Sequence, residues 1–284
     1  MQHLPLVSVI IVTWNSRKYL PTCLDKLSTQ TFHDFEVNLV NNASEDNILD
    51  VLHKKYPSLD LHINKLSSNL GFAVANNIGA RLTRGKWLAL LNADAFPEPD
   101  WLAQLLHAAG ENPNFNFFAS RQIQAKSPEL LDGAGDDYHI SGLAWRNDYN
   151  LASEKYGRQQ REVFSPCAAA ALYSREEFLK VDGFDEDYFP YFEDVDLGFR
   201  LRLGGEKCLY VPEAVVVTSL PELQELKDLI LLYSTPDEFV GNVERALKTN
   251  DWELVEKRQA FARENTWEKR YQTFKRSINL LYQD

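Results

Sequence analysis

Residues 7–15 read VSVIIVTWN, a run of mainly β-branched apolar side chains that ends in Thr13, Trp14 and Asn15. Apolar residues at consecutive positions, without alternation, are typical of a strand that is buried on both faces of a parallel sheet. An amphipathic helical pattern follows over residues 19–27. The stretch therefore predicts a strand followed by a helix, with polar side chains at the carboxyl end of the strand.

The same alternation continues along the first third of the chain. Further strands are predicted at residues 35–40, 59–63 and 87–91. Helices are predicted from residue 46 to about 56, over 71–82, and from Pro97 and Pro99 through Leu106. Strands that alternate with helices predict an α/β fold whose mainly parallel, Rossmann-like sheet is flanked by helices.

Polar clusters follow three of the predicted strands. They are Thr13–Asn15, Asn41–Asp46 and Asn92–Asp94. Open parallel sheets bind their ligands outside the carboxyl ends of the strands. The shared position of the three clusters therefore predicts a ligand site at this edge.

The pattern is less regular after residue 115. Residues 115–165 are predicted as strands and loops, and Cys167–Tyr173 is a small apolar run. Ser174 and Glu177 predict the capped start of a helix. An aromatic segment over residues 188–192 leads into a further helix that stops at Gly204, and residues 208–217 predict the last strands.

The composition changes after Ser219. The remaining chain is rich in Glu, Lys and Leu, and it contains two capped helix starts, one at Thr235 and one at Asn265. We therefore predict two parts, an α/β domain over residues 1–217 and a helical C-terminal appendage over residues 218–284.

The composition argues against several classes of protein. The chain has 284 residues, with 30 Lys and Arg against 41 Asp and Glu, so its net charge of −11 lacks the basic footprint of a nucleic-acid binder. Three widely spaced cysteines favour a reducing compartment over a disulfide framework. No apolar run approaches the roughly twenty residues of a membrane-spanning helix. We expect a cytoplasmic protein, and we leave open a peripheral contact at the inner face of the cell membrane.

Carboxylates at two places can carry chemistry. Asp94 follows a buried strand, where it can hold a divalent cation that bridges phosphate oxygens, or simply cap a turn. Glu193, Asp194 and Asp196 stand at a helix N-terminus, where they can compensate the helix dipole. The aromatic wall before them leaves open another interpretation, in which a carboxylate is the general base for a hydroxyl nucleophile.

Amide side chains extend the predicted ligand edge. Asn41 and Asp46 can hydrogen-bond a base and a ribose, or form an Asx turn into the next helix. Gly71, Asn76 and Asn77 can bring amides near a diphosphate, or merely start a helix tightly. None of the six histidines has metal-binding spacing.

Several segments resemble the family 2 glycosyltransferases, inverting enzymes of the GT-A fold, and in particular their rhamnosyltransferase-like branch. The matching segments are VSVIIVTWN, VNNASEDN, NLGFAVANNIGARLTRGKWLALLNADAFPEPDWL, DGAG, SPCAAAALYSREEFLKVDGFDEDYFPYFEDVDLGFRLRLGG and LYVPEAVVV. They span residues 7 to about 217, in the order and spacing of that family.

The resemblance implies a role for each candidate. The nucleotide pocket would be lined by Thr13, Asn15, Asn41, Asp46 and Asn92. Asn77, proposed above from the residues alone, is predicted to belong to the same pocket. Asp94 stands in the metal- and diphosphate-binding motif and would hold Mn²⁺ or Mg²⁺. Asp194 stands at the position of the catalytic base, with Glu193 beside it.

Two positions depart from the family pattern. Asn41 replaces the usual aspartate, and Thr218 replaces a metal-binding histidine, so a bound cation should be held more weakly. Residues 215–271 resemble the C-terminal tail of GT-B glycosyltransferases of family 4. That resemblance implies an appendage joined near Val217 and used for packing or for binding a partner. The aromatic residues of the tail leave both a homodimer and membrane docking open.

Two functions follow from these observations. The first is an inverting glycosyltransferase that uses dTDP-rhamnose or a UDP-sugar and a glycan or lipid-linked acceptor in surface-polysaccharide assembly. The second is a catalytically impaired GT-A domain that binds nucleotide or glycan as a scaffold. Asn41 and Thr218 keep the second function open.

Overall fold

A computed structural model describes residues 4–46, 55–188 and 192–219, together with Leu49, Leu52 and Glu256. Met1–Ser219 form one compact unit and Leu220–Asp284 a second. Apart from residues 215–219 and Glu256, the predicted helical appendage and the segment that resembles GT-B enzymes lie outside the described residues, and the boundary after residue 217 stays a prediction. Among the described residues, no helix has the length and apolarity needed to cross a bilayer.

The described part of the first unit alternates strands and helices up to residue 111 and then becomes rich in strands. The helices are α1 (Leu20–Ser28), α2 (Phe72–Leu82), α3 (Trp101–Glu111), α4 (Arg175–Lys180) and α5 (Glu193–Leu203). The strands are β1 (Val7–Thr13), β2 (Phe35–Asn41), β3 (Leu61–Lys65), β4 (Trp87–Leu91), β5 (Ala95–Pro97), β6 (Phe117–Gln124), β7 (Leu131–Gly133), β8 (Asp136–Tyr138), β9 (Ala144–Arg146), β10 (Arg161–Val163), β11 (Ala170–Ser174) and β12 (Cys208–Thr218).

One large sheet has the order β10-β12-β6-β11-β4-β1-β2-β3, with β5 paired to β12 and β7 to β6. Pairs β1–β2, β1–β4, β2–β3 and β6–β12 are parallel, and β11 runs antiparallel between β4 and β6. Strands β8 and β9 form a separate hairpin. The predicted fold class, a mainly parallel sheet flanked by helices, is confirmed.

The core fills both faces of this sheet, because alternate side chains of a strand point to opposite sides. Val9 and Ile11 of β1 belong to the cluster that contains the apolar faces of α1 and α3. Ile10 belongs to the opposite cluster, which α2, α4 and α5 cover. Burial on both faces explains the unbroken apolar run that opens the sequence.

Two local predictions were wrong. Pro97 does not start a helix: it ends β5, where it pairs with Val216 of β12, and α3 begins at Trp101. This edge pairing tolerates a residue without an N–H. The third strand, predicted at residues 59–63, is Leu61–Lys65. Leu59 lies in the turn that precedes it.

Candidate active site

The carboxyl ends of β1, β2 and β4 meet at one edge of the sheet, because these strands are parallel neighbours. Thr13 of β1 pairs directly with Asn41 of β2. Asn92, the residue after β4, donates its N–H to the Ala169 carbonyl at 2.9 Å, just before β11 begins. The three polar clusters therefore lie at the same edge.

The loops after β1 and β2 are tied to each other. Asn15 donates its N–H to Ser44 Oγ at 3.0 Å, and its own Oδ1 accepts the Glu45 N–H at 2.9 Å. Asn41 Oδ1 accepts the Ser44 N–H, three residues along the chain, at 2.9 Å. Asp46 Oδ2 accepts the Arg17 N–H at 2.8 Å. These polar side chains shape one wall of the site.

Thr13 and Trp14 complete this wall. The Thr13 hydroxyl is buried and has no hydrogen-bond partner among the described residues. Trp14, by contrast, is 55% exposed between the two predicted nucleotide-binding residues Thr13 and Asn15. The sequence interpretation gave Trp14 no role, although an exposed indole in a polar loop is a suitable stacking surface for a base.

The turn Asn92–Asp94 is held by its backbone. The Asn92 carbonyl accepts the Cys23 thiol at 3.7 Å, and the Asp94 carbonyl accepts the Ser219 N–H at 3.0 Å. Burial, and then the charge of Asp94, raises the pKa of the Cys23 thiol far above its ordinary value. Half-buried Asp94 therefore lies near Cys23 of α1, and its backbone is joined to the residue that follows β12.

Thr218 is part of this end of β12. It pairs with Ala95, the residue after Asp94, and its hydroxyl donates to Asp132 Oδ2 at 2.8 Å. The other oxygen, Asp132 Oδ1, is buried and has no hydrogen-bond partner among the described residues. Thr218, which stands where the resemblance predicts a histidine, is thus hydrogen-bonded to Asp132 of β7.

Asp194 lies in the first turn of α5, with its carboxylate directed into the protein. Oδ2 accepts the Ala168 N–H at 3.1 Å, and Oδ1 accepts the Val195 N–H at 2.9 Å. Burial raises the pKa of Asp194, and the Ala168 N–H and the Arg146 charge oppose that rise. A raised pKa moves a carboxylate towards the range in which it can accept and return a proton.

The approach to α5 carries exposed aromatic rings. Tyr188 and Phe192 are 40% and 55% exposed, and residues 189–191 of the predicted aromatic wall lie outside the described residues. Phe192 has φ +73°, an uncommon backbone conformation for a bulky residue, directly before the half-buried Glu193. Strained backbone of this kind clusters at functional sites.

Asn77, predicted to lie at the donor site, has partners for both of its polar atoms. It is 2% exposed on α2, where Nδ2 donates to the Phe184 carbonyl at 2.8 Å and Oδ1 accepts the Phe184 N–H at 2.9 Å. Nδ2 also lies 3.1 Å from Glu186 Oε1. The side chain is occupied in holding the loop between α4 and α5, so we leave it out of the donor site.

Sequence comparison agrees with this geometry. The model of the family described as Glycosyl transferase family 2 matches residues 8–180, which is more than half of the chain. The chain belongs to glycosyltransferase family 2. It is therefore a glycosyltransferase enzyme, as the sequence motifs predicted.

Two curated relatives cover most of this glycosyltransferase. The N-acetylglucosaminyl-diphospho-decaprenol L-rhamnosyltransferase of Mycobacterium tuberculosis is 29% identical over 239 residues, 75% of this chain and 75% of the relative. An uncharacterized glycosyltransferase of Haemophilus influenzae is 30% identical over 227 residues, 76% of this chain and 66% of the relative. The predicted likeness to rhamnosyltransferases is confirmed.

Solved structures share the GT-A fold. Staphylococcus aureus TarS 1-349 in complex with UDP superposes with a TM-score of 0.59 at 18% identity, covering 78% of this chain and 63% of TarS. GalNAc-T7 with UDP, GalNAc and Mn²⁺ gives a TM-score of 0.63 at 18% identity, covering 78% of this chain and 45% of GalNAc-T7. The chain spans less than two thirds of either structure.

Sequence interpretation of this glycosyltransferase missed the side chains that lie near Asp194. Arg146 of β9 lies 3.5 Å from Asp132 Oδ2 through Nη1 and 3.5 Å from Asp136 Oδ1 through Nε. The sequence pattern identifies the motif DGAG at residues 132–135, but the irregular pattern of residues 115–165 does not predict that Arg146 lies next to this motif. Only the β8–β9 hairpin brings these residues together.

An acidic cluster elsewhere on the glycosyltransferase does not belong to the site. Glu36, Asp60 and His62 lie at the amino ends of β2 and β3, at the opposite edge from Asn41. Burial raises the pKa of Glu36, but hydrogen bonds from Ser8 and Arg84 outweigh it, so the net pKa falls. Because Arg84 Nη2 already lies 2.7 Å from Glu36 Oε2, we assign no cation to this cluster.

Proposed function

We propose that this family 2 enzyme is an inverting glycosyltransferase that moves a sugar from dTDP-rhamnose or a UDP-sugar to a hydroxyl of a lipid-linked glycan. The printed name of the M. tuberculosis relative, which describes rhamnosyl transfer to a polyprenyl-diphosphate sugar, supports this donor and acceptor class. Peripheral membrane contact, predicted from the sequence, would suit such an acceptor.

One observation carries the proposal. The consecutive residues Ala168 and Ala169 touch both halves of the site: the Ala168 N–H binds Asp194, and the Ala169 carbonyl accepts the Asn92 N–H. The base is thereby brought beside the turn that ends in Asp94. A single displacement needs this arrangement, because the acceptor hydroxyl must meet the anomeric carbon opposite the departing diphosphate.

In the proposed reaction, Asp194 accepts the proton of the acceptor hydroxyl. The acceptor oxygen forms a bond to the anomeric carbon while the bond from that carbon to the diphosphate oxygen breaks. Configuration inverts in this one step, no covalent enzyme intermediate forms, and Asp194 later passes its proton to solvent. Glu193 lies beside the base at the N-terminus of α5, where the helix dipole favours negative charge.

The residues at the Asp94 turn fit Mg²⁺ or Mn²⁺ held mainly by the donor. Asp94 offers a carboxylate, whereas the Thr218 hydroxyl is engaged by Asp132. Mg²⁺ commonly binds one or two carboxylates together with substrate phosphates and water. A bound cation would supply charge neutralisation at the diphosphate.

The nucleotide would lie against the wall formed by the β1 and β2 loops. We assign Thr13, Asn15, Asn41, Asp46 and Asn92 to this pocket. Because most of their hydrogen bonds hold the loops together, they contribute mainly by fixing the shape of the pocket. The exposed indole of Trp14 supplies a face for the base.

Donor binding is tested with a thermal-shift panel of UDP, dTDP, GDP and CMP, each with and without Mg²⁺ or Mn²⁺. A ligand at 100 times its Kd adds about 2.7 kcal/mol of stability. For a domain of this size that corresponds to a rise in Tm of roughly 5–10 °C. We expect a cation-dependent shift with UDP or dTDP.

The base is tested with Asp194→Asn, using Asp196→Asn on the same helix as the matched control. Asp196 pairs with Arg200 at 2.7 Å and does not contact the Ala168 peptide in the described hydrogen bonds. Asp194→Asn should lower kcat about 10²–10⁴-fold while nucleotide binding stays nearly intact, and Asp196→Asn should retain most activity. Wild-type protein that shows neither a nucleotide shift nor transfer would favour the impaired-scaffold alternative.

A further inference from the structure

Arg146 is held rigidly beneath the base. It is the last residue of β9, and its side chain crosses Gly133 at the end of β7. A Cβ at Gly133 would lie 2.5 Å from Arg146 Cδ, so a larger residue there would displace the arginine. Glycine at this position lets the arginine stem pass close to the backbone.

The guanidinium of Arg146 contacts three different segments. Nη1 lies 3.5 Å from Asp132 Oδ2 and Nε lies 3.5 Å from Asp136 Oδ1. Nη2 donates to Cys167 Sγ at 2.9 Å. Because the planar guanidinium presents its donors in a fixed fork, these three contacts determine its position.

The contact with Cys167 leads directly to the base. Cys167 precedes Ala168, whose N–H binds Asp194 Oδ2 at 3.1 Å. The carbonyl of Cys167 accepts Gln122 Nε2 at 3.3 Å, so Arg146 and Gln122 hold this residue from two sides. The peptide that orients the Asp194 carboxylate is thus fixed by Arg146 through one intervening residue.

Arg146 also supplies the nearby positive charge. Titratable and charged groups from two sources lie near the Asp194 carboxylate. Neighbouring segments contribute Arg146, Asp136, Cys167 and Tyr173. Its own helix contributes Glu193 and Asp196. Burial raises the pKa of Cys167 to about 12, so the thiol is neutral. Burial, and then the charge of Asp194, raises the pKa of Asp136, whereas Arg146 opposes this rise.

We propose that Arg146 is a positioning residue for Asp194: it fixes the Cys167–Ala168 segment that orients the base, and it places a positive charge near the base. The proposal rests on the proposed function, in which Asp194 is the general base. It assigns no contact between Arg146 and either substrate.

The test compares Arg146→Met, Arg146→Lys and a control, Arg161→Met. Arg161 also pairs with an aspartate, Asp148 at 3.0 Å, but lies on β10 and makes none of the contacts above. For each variant we would measure kcat against pH, the KM for the nucleotide-sugar donor whose nucleotide binds in the panel, and Tm. The acceptor is synthetic N-acetylglucosaminyl-diphospho-polyprenol.

Arg146→Met should lower kcat about 10²-fold, because small displacements of a catalytic group are costly. It should leave the KM for the donor within about threefold. The acidic limb of the kcat profile should move to higher pH, since removal of a positive charge raises the pKa of the carboxyl. Arg146→Lys should restore that limb but only part of kcat, and Arg161→Met should resemble wild type.

A wild-type kcat profile in folded Arg146→Met would overturn the proposal, as would a loss of kcat with no movement of the acidic limb. If Arg146→Met does not fold, because Asp132 and Asp136 lose their partner, Arg146→Lys and Cys167→Ala carry the test. Cys167→Ala removes only the sulfur contact and should lower kcat several-fold; unchanged kcat in both variants would refute the positioning role.

The two proposals fail in different ways. An active Asp194→Asn variant would refute the assignment of the base and, with it, the role of Arg146. An inactive Asp194→Asn together with a normal Arg146→Met would refute the role of Arg146 alone.

Discussion

Replacing Asn77 with alanine separates two interpretations of one side chain. The sequence suggested that Asn77 binds the donor, whereas the structure places both of its polar atoms on the backbone of Phe184, 107 residues away. Phe184 is buried, with 2% of its surface exposed. In Asn77→Ala, the Phe184 N–H and carbonyl would therefore lose their partners in a place that water does not readily reach.

The expected cost follows from those two backbone groups. Each buried polar group without a partner costs about 1–3 kcal/mol, so Asn77→Ala should lose roughly 2–6 kcal/mol of unfolding free energy. At about 3 °C per kcal/mol for a domain of this size, Tm should fall by roughly 6–18 °C. Urea unfolding monitored by tryptophan fluorescence would measure the same loss independently.

Asn76→Ala is the matched control, because Asn76 is the same residue type at an adjacent buried position of α2. Within the described part of the chain, its Nδ2 donates only to the Phe72 carbonyl of its own helix, at 3.0 Å. Its loss should therefore be about 0.5–1.5 kcal/mol. Unchanged stability of Asn77→Ala, together with a more than tenfold weaker nucleotide affinity of the folded protein, would refute our reasoning and restore the donor-binding role.

Three further predictions concern stability. Glu36 has a lowered pKa, so its contribution is present above its unfolded pKa near 4.5 and is lost as pH falls through the folded value. Glu36→Gln should cost about 1–3 kcal/mol at pH 7 and flatten this acid-induced loss in urea titrations; an equally steep loss would contradict it. Gly183→Ala should cost at least about 1–2 kcal/mol, because φ is +72° and the new Cβ would meet Asn77; wild-type Tm would disprove this. Thr218→Val should cost about 1–3 kcal/mol by depriving Asp132 of a donor, which an unchanged urea midpoint would rule out.

Much of the fold could be predicted because its signals are local. The apolar run of β1 indicates that this strand is buried on both faces. The polar residues after β1, β2 and β4 indicate the edge of the sheet at which these strands end. The Ser174 cap was also visible, and the structure shows its Oγ accepting the Glu177 N–H. Such features depend on residues within a few positions of one another.

The support of the site could not be predicted, because it depends on contacts between distant segments. Arg146 reaches Cys167 across 21 residues, and Thr218 reaches Asp132 across 86. Neither contact leaves a periodic pattern in the sequence. From the sequence, Thr218 at the position of the expected histidine predicts only a weaker metal site. The structure shows in addition that the Thr218 hydroxyl makes a buried hydrogen bond to Asp132.

The alanine-rich run before β11 joins two parts of the candidate site through its backbone. The sequence shows Cys167–Tyr173 only as a small apolar run. In the structure, consecutive residues Ala168 and Ala169 present an N–H to Asp194 and a carbonyl to Asn92. Small side chains allow this backbone to approach both α5 and the turn after β4. The distance between Asp194 and the turn that contains Asn92 is therefore set by main-chain geometry, since both are hydrogen-bonded to this backbone.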